Sequence, residues 1–429
     1  MGCDECPRPR LSHYKDMDAT DIQGKRQRFL FLTSIALVVA GGLVAQLGAT
    51  SATTLAGGYS SGSFDTGVYL TVSTLFAGFM AVRALPLARR LGIQRTWAWV
   101  NVVHMVMYVV LGVLILRSES DTIVLFLAAP LIGTITGLLA VVSPLMTQSF
   151  LGGGIAQANS RRAAVAGVVG AVSLVIGGTL IHLLGPGIGL LLGGLLGAPL
   201  TVFAFRAKPS KAIPPVQSPR HPLRTAIRTA AQNPKLRNVA VLSSAAGLLY
   251  VPFIMLIVPI LHDLRHDPLP SGAGLVLAGM SLGKLLTPRI VRRLEASNRT
   301  DFEGVLLAAA GITVLLYCFV FTLPIPRGSG EIAIWAVIGI GIGALRASVI
   351  SLMEGAAANA GGKGYEAEGM AVMTIFGTFA APVGALVWGW SIQQISSAYT
   401  IMIAATLFGV VLLVLHQFDR RAVELEGKT

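Results

Sequence analysis

Arg346 makes the strongest demand on its surroundings. It is the only charged residue between Glu331 and Glu354, a few residues past the middle of an apolar stretch long enough to cross a bilayer. A cation at that depth costs about 2.5–3.5 kcal/mol or more, so something must compensate it. One reading places Arg346 against water in an internal cavity. The other pairs it with Glu354 or with carbonyls of a broken helix. Glu354 lies about 80° around and ~12 Å along a helix from Arg346, which strains a direct pair and favours the cavity.

Other groups capable of chemistry are sparse. None of the 20 Asp and Glu residues is expected deep in an apolar run. Glu354 comes nearest, at the end of its stretch, and with His104 it is a candidate for ion coupling. His104 and His182 could titrate near neutrality or serve as hydrogen-bonded packing groups. Cys3 and Cys6 form a lone C-x-x-C, and with no second ligand pair to complete a tetrahedral site no metal is expected. The chain has no G-x-x-x-x-G-K-[ST] phosphate loop, so no ATP hydrolysis and no cofactor are expected. A membrane enzyme would cluster acids, histidines or metal ligands near one membrane face. His104 and His182 have no acid partner in the apolar runs, so no enzyme is expected.

The elements that must position these residues are read from hydropathy. The chain has 429 residues, 54% hydrophobic and 12% charged, far too apolar for a soluble domain of this size. Runs of about 20 apolar residues, the length that crosses a bilayer, are expected near 29–51, 66–84, 97–116, 122–146, 163–184, 186–206, 238–261, 270–288, 304–324, 331–353, 370–391 and 396–416. The runs are continuous and rich in Leu, Ala and Gly, without the alternation of a barrel strand. An all-α membrane protein of twelve spans follows.

The net charge of +13 is not a nucleic-acid signal, because its placement follows a membrane topology. Of the 33 Lys and Arg, 28 fall in the segments that share a side with the amino terminus. Arg117, Arg265 and Arg327 fall on the other side, and Lys284 and Arg346 lie within spans. That asymmetry puts both termini in the cytoplasm. The expected organisation is a mobile tail over 1–27, a six-helix bundle over 28–206, a basic linker over 207–237, a second bundle over 238–417 and a tail over 418–429. In the linker, Leu223, Ile227 and Ala231 recur at helical spacing beside Arg224 and Arg228, which suggests a short basic surface helix.

The two halves echo one another. Ala77-Gly78 and Arg83 recur as Ala278-Gly279 and Lys284 at a shift of 201, and Gly133 and Gly137 recur as Gly339 and Gly343 at 206. Glycines four apart, including Gly185, Gly189, Gly193 and Gly197, form stripes that let helices approach closely.

Between the second and third spans stands Leu85-Pro86-Leu87-Ala88-Arg89-Arg90-Leu91-Gly92-Ile93-Gln94. It resembles the G-x-L-A-D-R-x-G-R-R loop of the major facilitator superfamily at Leu87, Ala88, Arg90 and Gly92. Ala156-Gln157-Ala158-Asn159 and Gln232-Asn233-Pro234-Lys235-Leu236-Arg237 are similar to the enterobactin-exporter type of drug and siderophore exporters within it. The resemblance implies two pseudo-symmetric six-helix bundles, alternating access around a central cavity, and export of a small amphipathic organic molecule in exchange for protons. Uptake symport and a non-transporting sensor or assembly factor are the alternatives. Partners are expected to be that molecule, the bilayer of the cell membrane and protons, with no nucleic acid and a monomeric working unit.

The resemblance also implies a site. The cavity-lining helices offer Gln46, Thr134, Thr136, Ser143, Ser243, Ser244 and Tyr250 beside Arg346, mild groups suited to an amphipathic molecule more than to a sugar. The superfamily's acidic loop position is Arg89 here, and its R-G-R before the eleventh span corresponds to Glu368-Gly369-Met370. Both charges are inverted. A cytoplasmic gate pairing Arg89 with Glu368, with Arg90, Gly92 and Glu366 beside it, is therefore expected. A solvated cap at Glu368 is the plainer reading.

Overall fold

The computed structural model describes residues 12–117, 121–152, 154–207, 222–265, 270–297, 301–322, 329–362 and 366–426. Twelve helices in it are long and apolar enough to cross a membrane. We number them α1 (Gly24–Ala56), α2 (Gly62–Leu91), α3 (Ile93–Arg117), α4 (Ile123–Leu151), α5 (Ile155–Leu184), α6 (Gly187–Arg206), α7 (Pro234–Met255), α8 (Gly272–Ala296), α9 (Phe302–Phe321), α10 (Ile332–Gly361), α11 (Glu368–Ile395) and α12 (Ser397–Asp419). With twelve such helices, the start of α1 and the end of α12 lie on one face. That face also carries the Arg-rich ends of α2, α6 and α8 and is called the basic face below.

Helical backbone continues from Ser12 through Leu91, yet the Thr66 hydroxyl meets those of Thr53 and Thr54 at 2.9 and 3.1 Å. In a straight helix residues 54 and 66 would stand roughly 18 Å apart, so the chain doubles back between α1 and α2. Residues 12–27 are helical, not the mobile tail expected from their polarity. The basic linker carries a helix at Pro222–Gln232. Asn233 then caps α7 by accepting from the N–H groups of Lys235 and Leu236, and its amide donates to the Ala360 carbonyl at 3.0 Å.

The glycine stripes are where backbones meet. Methyl groups at Gly133 and Gly137 would collide with the carbonyls of Ser73 and Ala77, and at Gly339 and Gly343 with those of Val276 and Met280. Thus α2–α4 and α8–α10 are the same contact made twice. The contact relates α2 to α8 by 203 residues, which corrects the 201 read from Ala77-Gly78, because Ala77 matches Met280. Each half is further locked by aromatic rings at one end. Phe31 and Phe150 stack at 4.7 Å with Trp97 and Phe203 beside them on the basic face. In the second half Phe253, Phe319 and Trp335 gather at the opposite end, with ring centres 5.2 Å apart. Side chains such as Leu127 and Phe321 point out of the bundle, as a lipid-facing surface requires.

Candidate functional site

Two seams join the halves. Along the first, α5 lies against α8 over its whole length. Gly274 abuts Leu174 and Gly178, Gly170 and Gly167 abut Ser281, and near the basic face Gln157 donates to Glu295 at 3.3 Å. Along the second, α2 touches α11 away from the basic face. A methyl at Gly67 would lie 2.8 Å from the Ala385 carbonyl oxygen. Thr71 donates to the Pro382 carbonyl at 3.0 Å, and Phe79 meets Phe379 edge-on.

Between the seams lie two adjacent chambers that share part of their walls. The larger, about 390 Å³, has walls from α2, α4, α7, α10 and α11, including Thr74, Thr136, Ser143, Ser243 and Tyr250. Its size falls in the range that holds drug-sized molecules. The smaller, about 240 Å³, lies among α1, α5, α7, α8 and α10, with Asn159, Ser281, Lys284 and Ser351 in its wall. Arg162, Arg346, Ile350 and Glu354 line both. A larger groove of about 810 Å³ runs between α9 and α12, but both helices belong to one half, so relative motion of the halves would not open and close it.

The helices place charge in these chambers with some economy. Arg346 and Lys284 each stand at the centre of their spans, α10 and α8, so Arg346 is at the middle instead of a few residues past it. Lys284 begins a 3₁₀ turn, Lys284–Leu286, that interrupts α8, a local tightening that often marks a hinge or a site. Arg162 and Glu354 lie roughly 10 Å inside the basic-face ends of α5 and α10 by helical rise. Here the expectation fails: Glu354 is buried, 5% exposed, so a deep acid exists. Arg162 had been counted with a loop. Helices α5 and α10 run on past the charges that ended their apolar windows, because the charges face each other across the halves instead of facing solvent.

Glu354 faces Arg162 and Asn159 of α5, not Arg346. Arg346 lies within hydrogen-bonding reach of the Tyr250 hydroxyl, while its Nε has no partner. Lys284 donates to Ser281 Oγ at a long 3.5 Å, and Arg162 to Thr147 Oγ1 at 3.4 Å. Both amide atoms of Asn159 and the Oε2 of Glu354 are buried without a partner. Buried polar atoms normally have partners, so this cluster is unfinished chemistry at the join of the two halves. Three cations against one carboxylate leave an excess of positive charge where removing a single partner from a buried pair costs about 3–5 kcal/mol.

The remaining sequence candidates divide. Thr136, Ser143, Ser243 and Tyr250 are in the larger chamber with Arg346. Gln46, Thr134 and Ser244 do not line either chamber; Ser244 instead donates to the Phe376 carbonyl at 3.4 Å. His104 is also outside both, packed edge-on against Tyr108 at 4.7 Å within α3, and His182 is exposed. Arg89 and Arg90 are exposed at the end of α2, which Gly92 closes in a left-handed conformation at φ +86°. Glu366 and Glu368 are half-buried in the first turn of the helix Glu366–Ile395. Cys3 and Cys6 lie outside the described residues. Among the described residues no three His, Cys, Asp or Glu side chains gather as a metal-binding group.

No family model and no curated protein matches the sequence. Solved structures do match in shape. The nucleoside transporter NupG is similar at a TM-score of 0.58 and 15% identity over 90% of this chain and 98% of that one. The human organic anion transporter MFSD10 (TETRAN) is similar at 0.60 and 16% over 90% and 99%. At such identities the likeness shows the fold: an all-helical, twelve-span bundle of the major facilitator type.

Proposed function

We propose that this chain is a secondary transporter that carries a small amphipathic organic molecule through the membrane by alternating access. The observation that carries the reading is the cavity itself. Both halves build it, it is walled by apolar and hydroxyl groups, and it holds a cluster of buried charge contributed by α5, α8 and α10. A seam closed on one side of the cavity and a second seam along its flank are what a rocking pair of bundles needs. The fold is shared with transporters of nucleosides and of organic anions, molecules of the size the larger chamber holds.

Positive charge concentrated on one face orients that face to the cytoplasm of a cell membrane. Outward movement follows the resemblance of Ala156–Asn159 and Gln232–Arg237 to exporters, with a proton as the exchanged ion. We assign the coupling carboxylate to Glu354, since it lines both chambers whereas His104 lies apart. Arg89, Arg90, Glu366 and Glu368 form the cytoplasmic gate, and one chain suffices because it supplies both walls.

Reconstitution tests this. Purified protein in liposomes, offered lipophilic cations, anions and neutral compounds, should move at least one class, faster with an imposed proton gradient. Everted and right-side-out vesicles then give the direction. Binding without movement across any liposome would replace the transporter with a sensor.

A further inference from the structure

The two chambers differ in chemistry, and the difference names a substrate class. The larger presents hydroxyls and apolar walls. The smaller collects Lys284, Arg162 and Arg346 from three helices, and among the described residues the only carboxylate lining it is Glu354. Arg162 faces Glu354, and the other contacts are weak: Arg162 and Lys284 reach single hydroxyls at 3.4 and 3.5 Å, and Arg346, near the Tyr250 hydroxyl, keeps a buried Nε unpaired. An arginine offers five N–H donors and a lysine three, so most of this donor capacity is unused. Asn159, 1% exposed and lining the same chamber, stands beside Glu354, and neither of its amide atoms makes a well-formed hydrogen bond.

Resting on the transporter reading, we propose that the smaller chamber is an oxyanion site and that the substrate is an organic anion. Its carboxylate or phosphate head would sit among Lys284, Arg162, Arg346 and the Asn159 amide, and its apolar body would extend past Arg346 into the larger chamber. Arg346 lines both chambers and so contacts the substrate where head joins body. Charge explains why an anion suits the site better than a neutral molecule. With all four groups ionised, the cluster carries two uncompensated positive charges within the span of the bilayer. Forked guanidinium donors match the geometry of carboxylate and phosphate oxygens. Glu354, facing Arg162, is then the internal anion that the substrate head competes with.

The competition makes the proposal testable through a gain as well as losses. Full-length protein in nanodiscs is titrated by calorimetry with naphthalene-2-carboxylate, 2-naphthyl phosphate, naphthalene-2-carboxamide and 2-naphthylmethylammonium, which share one apolar body. The carboxylate, the phosphate or both should bind at least tenfold tighter than the amide, and the better of the two identifies the head. Lys284→Gln should weaken that binding about tenfold and Lys284→Arg should restore it, while Glu354→Gln should tighten it severalfold. Equal binding of amide or ammonium would overturn the anion site and leave the transporter reading standing. An unchanged or weakened anion affinity in Glu354→Gln would also overturn it. Binding of none of the four would overturn it too; failure of liposomes to move any compound of the wider panel is the separate result that removes the transporter reading.

Discussion

The two seams between the halves are built differently. On the α5–α8 side, small residues hold the backbones together from end to end, from Gly274 beside Gly178 to Gln157 beside Glu295, and the charge cluster sits on the flank of that contact. On the α2–α11 side, the close contacts at Gly67 and Thr71 lie on the side away from the basic face, Phe79 still meets Phe379 near mid-span, and the two helices line the larger chamber. The described arrangement is therefore shut away from the basic face. A seam fixed by packing suits a pivot, and a seam fixed at one end suits a gate.

The largest expected effect comes from the charge at the centre. Arg346→Leu should reduce transport to background while leaving membrane insertion and size-exclusion behaviour intact, because it removes the group shared by both chambers without cutting a seam. Normal flux in that variant would remove Arg346 from the mechanism. Next, Gly67→Val puts a branched side chain where even a methyl would lie 2.8 Å from the Ala385 carbonyl oxygen. It should wedge the gate seam and lower transport tenfold or more with little change in thermal stability. The matching change on the pivot, Gly274→Val, should instead lower the melting temperature, since the Leu174 carbonyl oxygen would lie 2.8 Å from an added methyl on the seam that acts as the pivot. Equal effects of both substitutions on stability would erase the distinction between pivot and gate.

Smaller effects are expected where the contacts are weaker. If Arg89 and Glu368 pair to close the cytoplasmic side in one state of the cycle, Arg89→Glu should slow transport a fewfold and adding Glu368→Arg should restore it. Exposed ion pairs contribute only about 0–1 kcal/mol, so a large loss is not expected. A double variant no better than the single one would dismiss the pair. Smallest of all, Thr71→Val removes one hydrogen bond between spans, worth about 0.6 kcal/mol on average. That corresponds to roughly a threefold shift in the balance of states, readable as a change in cysteine accessibility on the two faces.

Hydropathy and charge placement revealed the twelve spans because both are statements about the bilayer, which acts on each stretch separately. Arg346 stood out for the same reason, a charge in the wrong solvent. Arg162, and the burial of Glu354 against it, escape such a reading because their solvent is another helix. They are 192 positions apart in the chain, and nothing in a single sequence brings α5 and α10 together. Their depth, however, could have been read from helix stop signals. Gly152, at φ +68°, breaks the chain just before α5, and Gly362, at φ +83°, ends α10, and such left-handed glycines mark helix ends better than the first charge does. Reading those ends places Arg162 and Glu354 inside their helices. Gln46, Ser244 and His104 were misplaced for the converse reason: polarity within a span says that a group needs a partner, not that the partner is a substrate.

The most direct test of two halves rocking about one pivot uses spin-label distances in the Gly67→Val protein. One label pair, at Ser63 and Gln394, spans the gate seam away from the basic face; a second, at Leu91 and Ala360, spans the basic face. Alternating access predicts that the wedge lengthens the first distance and shortens the second together. Lengthening of the first with the second unchanged would mean that the helices splay locally, and would contradict the rocking of the halves.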